Sequence, residues 1–178
     1  MVKMKAMANQ SDTGLDAEVI VVGGGLAGLI GSIQLAQAGL EVILFEKSAF
    51  PKHKVCGEYI SNEVRPILHK IGLFPDQLTD VKINELLLSS PSGNSLRANL
   101  PLGGFGVSRY RIDQALCELA IESGVKVLMH TSINAVHFDA KKDHFRLSTR
   151  KGQVFHGTVV LGSFGKRSML DRTLNRGW

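Results

Sequence analysis

The chain holds only two cysteines, one tryptophan and five prolines in 178 residues, and neither an Asp-Gly nor a Gly-Asp pair occurs anywhere in it. Cys56 and Cys117 lie far apart and suggest no disulfide framework, which fits a reducing, cytoplasmic compartment. No run of about 18 apolar residues is present, so no transmembrane helix is expected. The opening MVKMKAMANQSDTGLD lacks the apolar stretch of a signal peptide. Residues 1–16 therefore read as a disordered tail. The six histidines (His53, His69, His130, His137, His144 and His156) form no pair at metal-ligand spacing with a carboxylate or thiol, so no metal site is expected. No G-x-S-x-G elbow offers a hydrolase nucleophile.

A net charge of +5 invites a nucleic-acid partner, but its distribution argues against one. Lys166, Arg167, Arg172 and Arg176 against Asp171 put +3 into the last thirteen residues, leaving +2 for the rest. There is no basic recognition helix and no aromatic-studded basic strand.

What the sequence does contain begins at VIVVGGGLAGLIGSIQLAQAGLEVILFEK. Glu18 to Val22 is a short continuous apolar run, suited to a central parallel strand. Leu26, Leu29, Ile30, Ile33 and Ala36 then recur at helical spacing, and Gly39 stands where that helix would stop. Val42 to Phe45 makes a second strand, so the three form a right-handed βαβ unit.

Within the unit, Gly23, Gly25 and Gly28 form G-x-G-x-x-G. The first glycine permits a tight turn, the second lets a pyrophosphate approach the backbone, and the third lets helix and strand pack closely. Leu26 and Ala27 open the helix, where amides meet phosphate charge. Glu46 follows Gly28 by 18 residues, close to the offset of about 20 expected for an acid on the ribose hydroxyls, and Lys47 stands beside it. An acid there repels a 2′-phosphate, which disfavours NADP and leaves NAD or FAD.

Beyond Glu46 the periodicity lapses into a long loop, SAFPKHKVCGEYIS, and loops of that length tend to be functional or disordered. A short helix is expected over Glu63 to Ile71, closed by Gly72. KINELLLSS and NSLRANL read as a hairpin around PSG. Gly103-Gly104-Phe105-Gly106 lacks the Lys-Ser/Thr of a phosphate loop and reads as a turn feeding a strand. Arg109 to Glu122 forms a second long helix with Ile112, Ala115, Leu116, Leu119 and Ala120 on one stripe. VKVLMH, INAVHFDA, HFRLSTRKG and VFHGTVVLGS follow as a strand and an antiparallel meander.

This order of elements, with the glycine-rich opening, resembles the FAD-dependent oxidoreductases of the glutathione-reductase-like superfamily, in particular the geranylgeranyl reductase-like and aromatic-hydroxylase-type branch. PKHKVCGEYIS is similar to that branch's Lys-x-Cys-Gly segment, and VSRYRIDQAL to its Arg-x-x-x-Asp segment, with Arg109 and Asp113 in the matching places. The resemblance implies an α/β, Rossmann-like FAD-binding domain over residues 17–178 with an inserted β-hairpin and an antiparallel meander. Residues 73–105 would belong to an incomplete substrate domain. It implies FAD as cofactor, NAD(P)H as a candidate electron donor, and a cofactor contact by Arg109. Cys56 is the candidate catalytic residue beside the flavin, with Lys52, His53 and Lys54 near enough in sequence to lower a thiol pKa if they face it. Cys117, on the apolar side of its helix, reads as core.

Two departures matter. The family's later strand usually ends in Asp-Gly, where this chain has Ser163-Phe164-Gly165, and the later Gly-Asp motif of the flavin side is missing. The sequence therefore reads as the N-terminal part of a flavoenzyme that reduces C=C bonds of an apolar, isoprenoid-like substrate. A prenyl substrate implies peripheral contact with a membrane surface. The alternatives are a flavin-dependent monooxygenase or halogenase of the same superfamily, and a non-catalytic nucleotide-binding fragment.

Overall fold

A computed structural model describes residues 14–165 and 168–173, with the side chains of Arg172 and Thr173 excepted. Residues 1–13 of the expected tail lie outside it, as does most of the basic run that starts at Lys166. Asp16, at the end of that tail, is tied down: its amide donates to the His156 carbonyl at 2.9 Å, and its carboxylate accepts from the His156 amide at 2.7 Å.

Strand β1 (Ala17–Val22) is flanked by β2 (Val42–Phe45) and β9 (Val154–Gly162), both parallel to it. A six-stranded sheet runs in the order β6-β2-β1-β9-β8-β7, with β6 at Lys126–Leu128, β7 at Ile133–Asp139 and β8 at His144–Thr149. The pairs β7–β8 and β8–β9 are antiparallel, which is the expected meander. Helix α1 (Leu26–Gln37) crosses between β1 and β2, and α4 (Arg109–Glu122) packs beside it.

The continuous apolar runs of β1 and β2 follow from burial on both faces. Val19, Val21, Val42 and Leu44 pack against Leu29, Ile33, Ile112, Leu116 and Ala120 of the helices. Ile20, Val22, Ile43 and Phe45 face Leu147, Ile133 and Leu170 on the other side. Glu18 is the exposed residue of β1, and its carboxylate accepts from the Glu41 amide at 2.9 Å, fixing the turn into β2. Helix α4 starts at Ser108, whose hydroxyl accepts from the Arg111 amide, and stops before Gly124, whose φ is +95°. Leu116 is fully buried on its stripe, and truncating such a leucine to alanine costs about 2–5 kcal/mol.

The long loop ends earlier than the sequence suggests. Tyr59–Ser61 forms β3, which pairs with the far end of β5 (Ser95–Gly106). A 3₁₀ turn (Asn62–Val64) leads into α2 (Arg65–Ile71), which ends at a left-handed Gly72 as expected. A short α3 (Pro75–Leu78) follows, which the periodicity does not reveal. The hairpin of β4 (Lys82–Ser89) and β5 forms, but β5 runs on through Gly103-Gly104-Phe105-Gly106 rather than turning there. The cause is close backbone approach: a Cβ on Gly104 would stand 2.3 Å from the Tyr59 ring and 2.6 Å from the Ile60 carbonyl. The glycines admit β3 alongside the strand. Phe105 is buried in the main core, whereas Leu86, Leu88 and Leu96 of the hairpin are exposed. Among the described residues no helix is long and apolar enough to cross a membrane.

Candidate functional site

The turn from β1 into α1 sorts its three glycines by physical role. Gly23 has φ +110°, and a Cβ there would lie 2.5 Å from the Ser163 carbonyl. A Cβ on Gly28 would lie 2.0 Å from the Gly23 carbonyl and 2.5 Å from Ser163 Oγ. These two glycines serve the turn and its packing. Gly25 is different: its φ of −84° suits any residue, and a Cβ there would meet no atom within 4 Å. Neither conformation nor internal packing asks for glycine at 25, and the space a side chain would take there is left open.

Gly25 is the N-cap of α1. No side chain caps that helix, and no acidic residue stands in its first turn. The opening amides, at half-buried Leu26 and exposed Ala27, therefore present the positive end of the helix dipole to an anion. Ser163 holds the turn from the far end of the chain. Its amide donates to the Val22 carbonyl at 2.9 Å, and its hydroxyl lies 2.7 Å from the Gly23 carbonyl and 3.1 Å from that of Val22. The serine that departs from the family's pattern is thus built into the glycine turn.

A cleft of about 360 Å³ opens beside this turn, lined by Gly23 and Gly25 at one end and by Ser163, Phe164 and Gly165 along one wall. Its other wall carries Glu46, Lys47, Lys52, Lys54 and Arg109. Lys52 is paired with Glu46, and Lys54 and Arg109 with the buried Asp113, so the lining is cationic by less than the count of its basic residues.

Glu46, at the end of β2, is 5% exposed. Its Oε2 accepts from the Gly24 amide at 2.9 Å; its Oε1 accepts from the Ser48 amide at 3.0 Å and from the Lys52 ammonium. Burial works to raise its pKa, but the Lys52 hydrogen bond, the Ser48 amide, the Lys52 charge and the Gly24 amide together hold it below the usual carboxylate range. Of the four acceptor positions of a carboxylate, three are filled, and one on Oε2 is left open. Lys47, next along, is exposed at the rim of the cleft.

Asp113 lies in the second turn of the α4 interior and is fully buried. Arg109, one turn before it, donates from Nε at 2.7 Å and from a terminal nitrogen at 2.9 Å to the two carboxylate oxygens. Lys54 reaches the same carboxylate from the long loop at 2.8 Å. The Lys-x-Cys-Gly and Arg-x-x-x-Asp segments thus meet at one buried acid. No sequence signal other than the shared resemblance points to that contact.

Cys56 is exposed and accepts from the Glu58 amide at 3.3 Å. It is not among the residues that line the cleft. The basic neighbours that sequence places near it are engaged elsewhere: Lys52 with Glu46, Lys54 with Asp113, and the His53 ring 4.6 Å from that of Tyr110. Cys117 is buried, and desolvation pushes its thiol up to about 11. Lys52 and Lys54 are the residues whose roles sequence reasoning missed, because charge alone does not reveal which acid a lysine will meet.

Residues 16–175 match the family described as the FAD binding domain. The chain belongs to that family. The cofactor of this family is FAD, so the choice left open by spacing between NAD and FAD closes. A menaquinone reductase of Mycobacterium tuberculosis is 28% identical over 166 residues, covering 91% of this FAD-binding chain and 41% of its own length. A digeranylgeranylglycerophospholipid reductase of Methanopyrus kandleri is 31% identical over 115 residues, 64% of this chain and 29% of its own. Among solved structures, the flavin-dependent halogenase CmlS superposes with a TM-score of 0.76 and 25% identity, over 89% of this chain and 31% of that one. The chain thus spans about two fifths or less of the length of these relatives. The α/β Rossmann-like fold and the FAD-binding reading of the sequence are borne out by the match and these likenesses.

Proposed function

We propose that this FAD-binding chain serves an oxidoreductase that reduces C=C bonds of an apolar, isoprenoid-like substrate. The observation that carries the reading is the joining of the Lys54-x-Cys56-Gly57 loop to the Arg109-x-x-x-Asp113 helix at the edge of the cleft. The reductase relatives, one named for menaquinone and one for a geranylgeranylated lipid, support the substrate class. Bound FAD supplies hydride transfer; the protein positions it. Gly25 and the amides of Leu26 and Ala27 receive the pyrophosphate, Glu46 holds the ribose, and Lys47 and Arg109 add charge-assisted contacts. Cys56 is the candidate nearest the chemistry, carried on a loop that Lys54 fastens. NAD(P)H is proposed as the electron donor. A prenyl substrate brings peripheral contact with a membrane surface into the same reading.

A second reading is favoured by the likeness to CmlS, a flavin-dependent halogenase. The same cradle would then serve oxygen chemistry. The test is made on the FAD-loaded protein, reduced without oxygen and offered a geranylgeranyl lipid without a quinone ring, the gain of hydrogen across its double bonds being read by mass beside the flavin spectrum. Return of the oxidised flavin spectrum before air is admitted supports the reductase. Reoxidation that waits for oxygen and yields a hydroxylated or halogenated product supports the second reading. Reoxidation by neither route leaves nucleotide binding as the chain's own function.

A further inference from the structure

The loop from Ala49 to Gly57 crosses the rim of the cleft with few fastenings of its own. Its backbone forms no regular structure, and Val55 and Cys56 are exposed. Four side chains hold it to the body: Phe50 on the main core, Lys52 on Glu46, His53 against Tyr110 and Lys54 on Asp113. The Lys54 contact is the one made to a carboxylate with no exposure to solvent, and that carboxylate already holds Arg109 through two hydrogen bonds.

One buried negative charge therefore serves two cations. Each partner keeps only part of its side chain exposed, 27% for Lys54 and 18% for Arg109, and both line the cleft. A carboxylate in such a place is costly unless its lone pairs are filled, and removing one partner of a buried pair leaves the other uncompensated. The helix side and the loop side of the cleft are thereby held by the same acid.

We propose that Asp113 is a positioning residue with two loads: it aims Arg109 at the nucleotide and anchors, through Lys54, the loop that carries Cys56. The lysine of the Lys-x-Cys-Gly segment is then a tether rather than an activator of the thiol. The Arg109 half of this inference rests on the FAD-contact reading above; the Lys54 half does not.

The two cysteines differ enough in exposure for Cys56 to report on its own loop. A nitroxide attached to Cys56 gives a line shape set by loop motion, without any need for FAD. The unaltered protein, Lys54→Met, Lys54→Arg and Asp113→Asn are compared, each with its FAD dissociation constant measured by flavin fluorescence. Lys54→Met is expected to sharpen the spectrum, because Phe50, Lys52 and His53 hold only the part of the loop before Cys56, and Lys54→Arg to restore the broadened form. Asp113→Asn frees both loads, so its FAD dissociation constant rises about tenfold or more, the scale of one lost charged hydrogen bond, while that of Lys54→Met rises less. An unchanged line shape in Lys54→Met, or a loop as mobile in Lys54→Arg as in Lys54→Met, overturns the tether. Unchanged FAD affinity in a folded Asp113→Asn overturns the aiming of Arg109. If Asp113→Asn does not fold, the two Lys54 variants still decide the tether, and a smaller loss of affinity in Arg109→Lys than in Arg109→Met decides the aiming. Should the unaltered chain bind no FAD while its label responds as stated, the FAD-contact reading fails and the tether stands.

Discussion

The carboxylate of Glu46, at the end of β2, accepts a hydrogen bond from the backbone amide of Gly24 at 2.9 Å. The acid and the glycine turn are thus one unit, not two motifs at a statistical spacing. Gly24 has a further reason to be small: a Cβ there would lie 2.8 Å from the Phe50 ring and 3.1 Å from Glu46 itself. Replacing Glu46 by Gln keeps the shape and removes the charge. FAD affinity is expected to fall about tenfold or more, the scale of a lost charge-assisted bond, measured by flavin fluorescence on titration.

Gly25 and Gly28 should respond to alanine in opposite ways. Gly28→Ala drives a methyl against the Gly23 carbonyl, where it would sit 2.0 Å away. Overpacking of this kind costs about 1–3 kcal/mol or more, so the thermal midpoint should fall by several degrees. Gly25→Ala meets nothing inside the protein and should lower the midpoint of the nucleotide-free chain only by the cap's share, about 0.5–1 kcal/mol. Its FAD affinity should nevertheless drop steeply. A Gly25→Ala protein that binds FAD normally would refute the pyrophosphate approach at this position.

Acid should weaken the fold partly through Glu46. Its folded pKa is held down, so its contribution is fully present above the unfolded value of about 4.3. That contribution is lost as pH falls through the lower folded value. Thermal midpoints measured between pH 7 and pH 3 should decline less for Glu46→Gln than for the unaltered chain over the acidic end. Equal slopes would show that Glu46 is not specially stabilised.

The two thiols should separate cleanly. Cys56 is exposed, whereas Cys117 is buried and its thiol is pushed up to about 11. At pH 8 a thiol reagent should modify one cysteine per folded chain and two after denaturation, with mass mapping placing the first on Cys56. Rapid modification of both in the folded state would mean that α4 opens easily.

The βαβ unit, α4 and the meander were legible because each is written in local periodicity or in a run of apolar residues. The joining of the glycine turn to Glu46 was legible for the same reason: both lie within one unit. What escaped depends on partners distant in sequence. β3 exists because Tyr59–Ser61 finds Gly104 to Gly106 on β5, and no pattern within YIS announces that. The glycine run at 103–106 suggested a turn, yet the missing side chains make room for a neighbouring strand. Lys54 and Asp113 meet across 59 positions; each looked like an ordinary surface charge or motif letter until the fold brought them together. Ser163 was noticed only as a departure from a pattern, and its hydroxyl proves to shape the glycine turn.

That last contact sets an order of events during synthesis. The glycine turn is made from residues 23 to 28, but its form is fixed by Ser163 and by β9, which pairs with β1 along its length. A nascent chain carries its glycines early, but the hydroxyl that bonds the Gly23 carbonyl comes 140 residues later. The glycine turn therefore depends on a residue 140 positions away, and a chain cut before Gly162 would carry the motif without the hydrogen bond that shapes it.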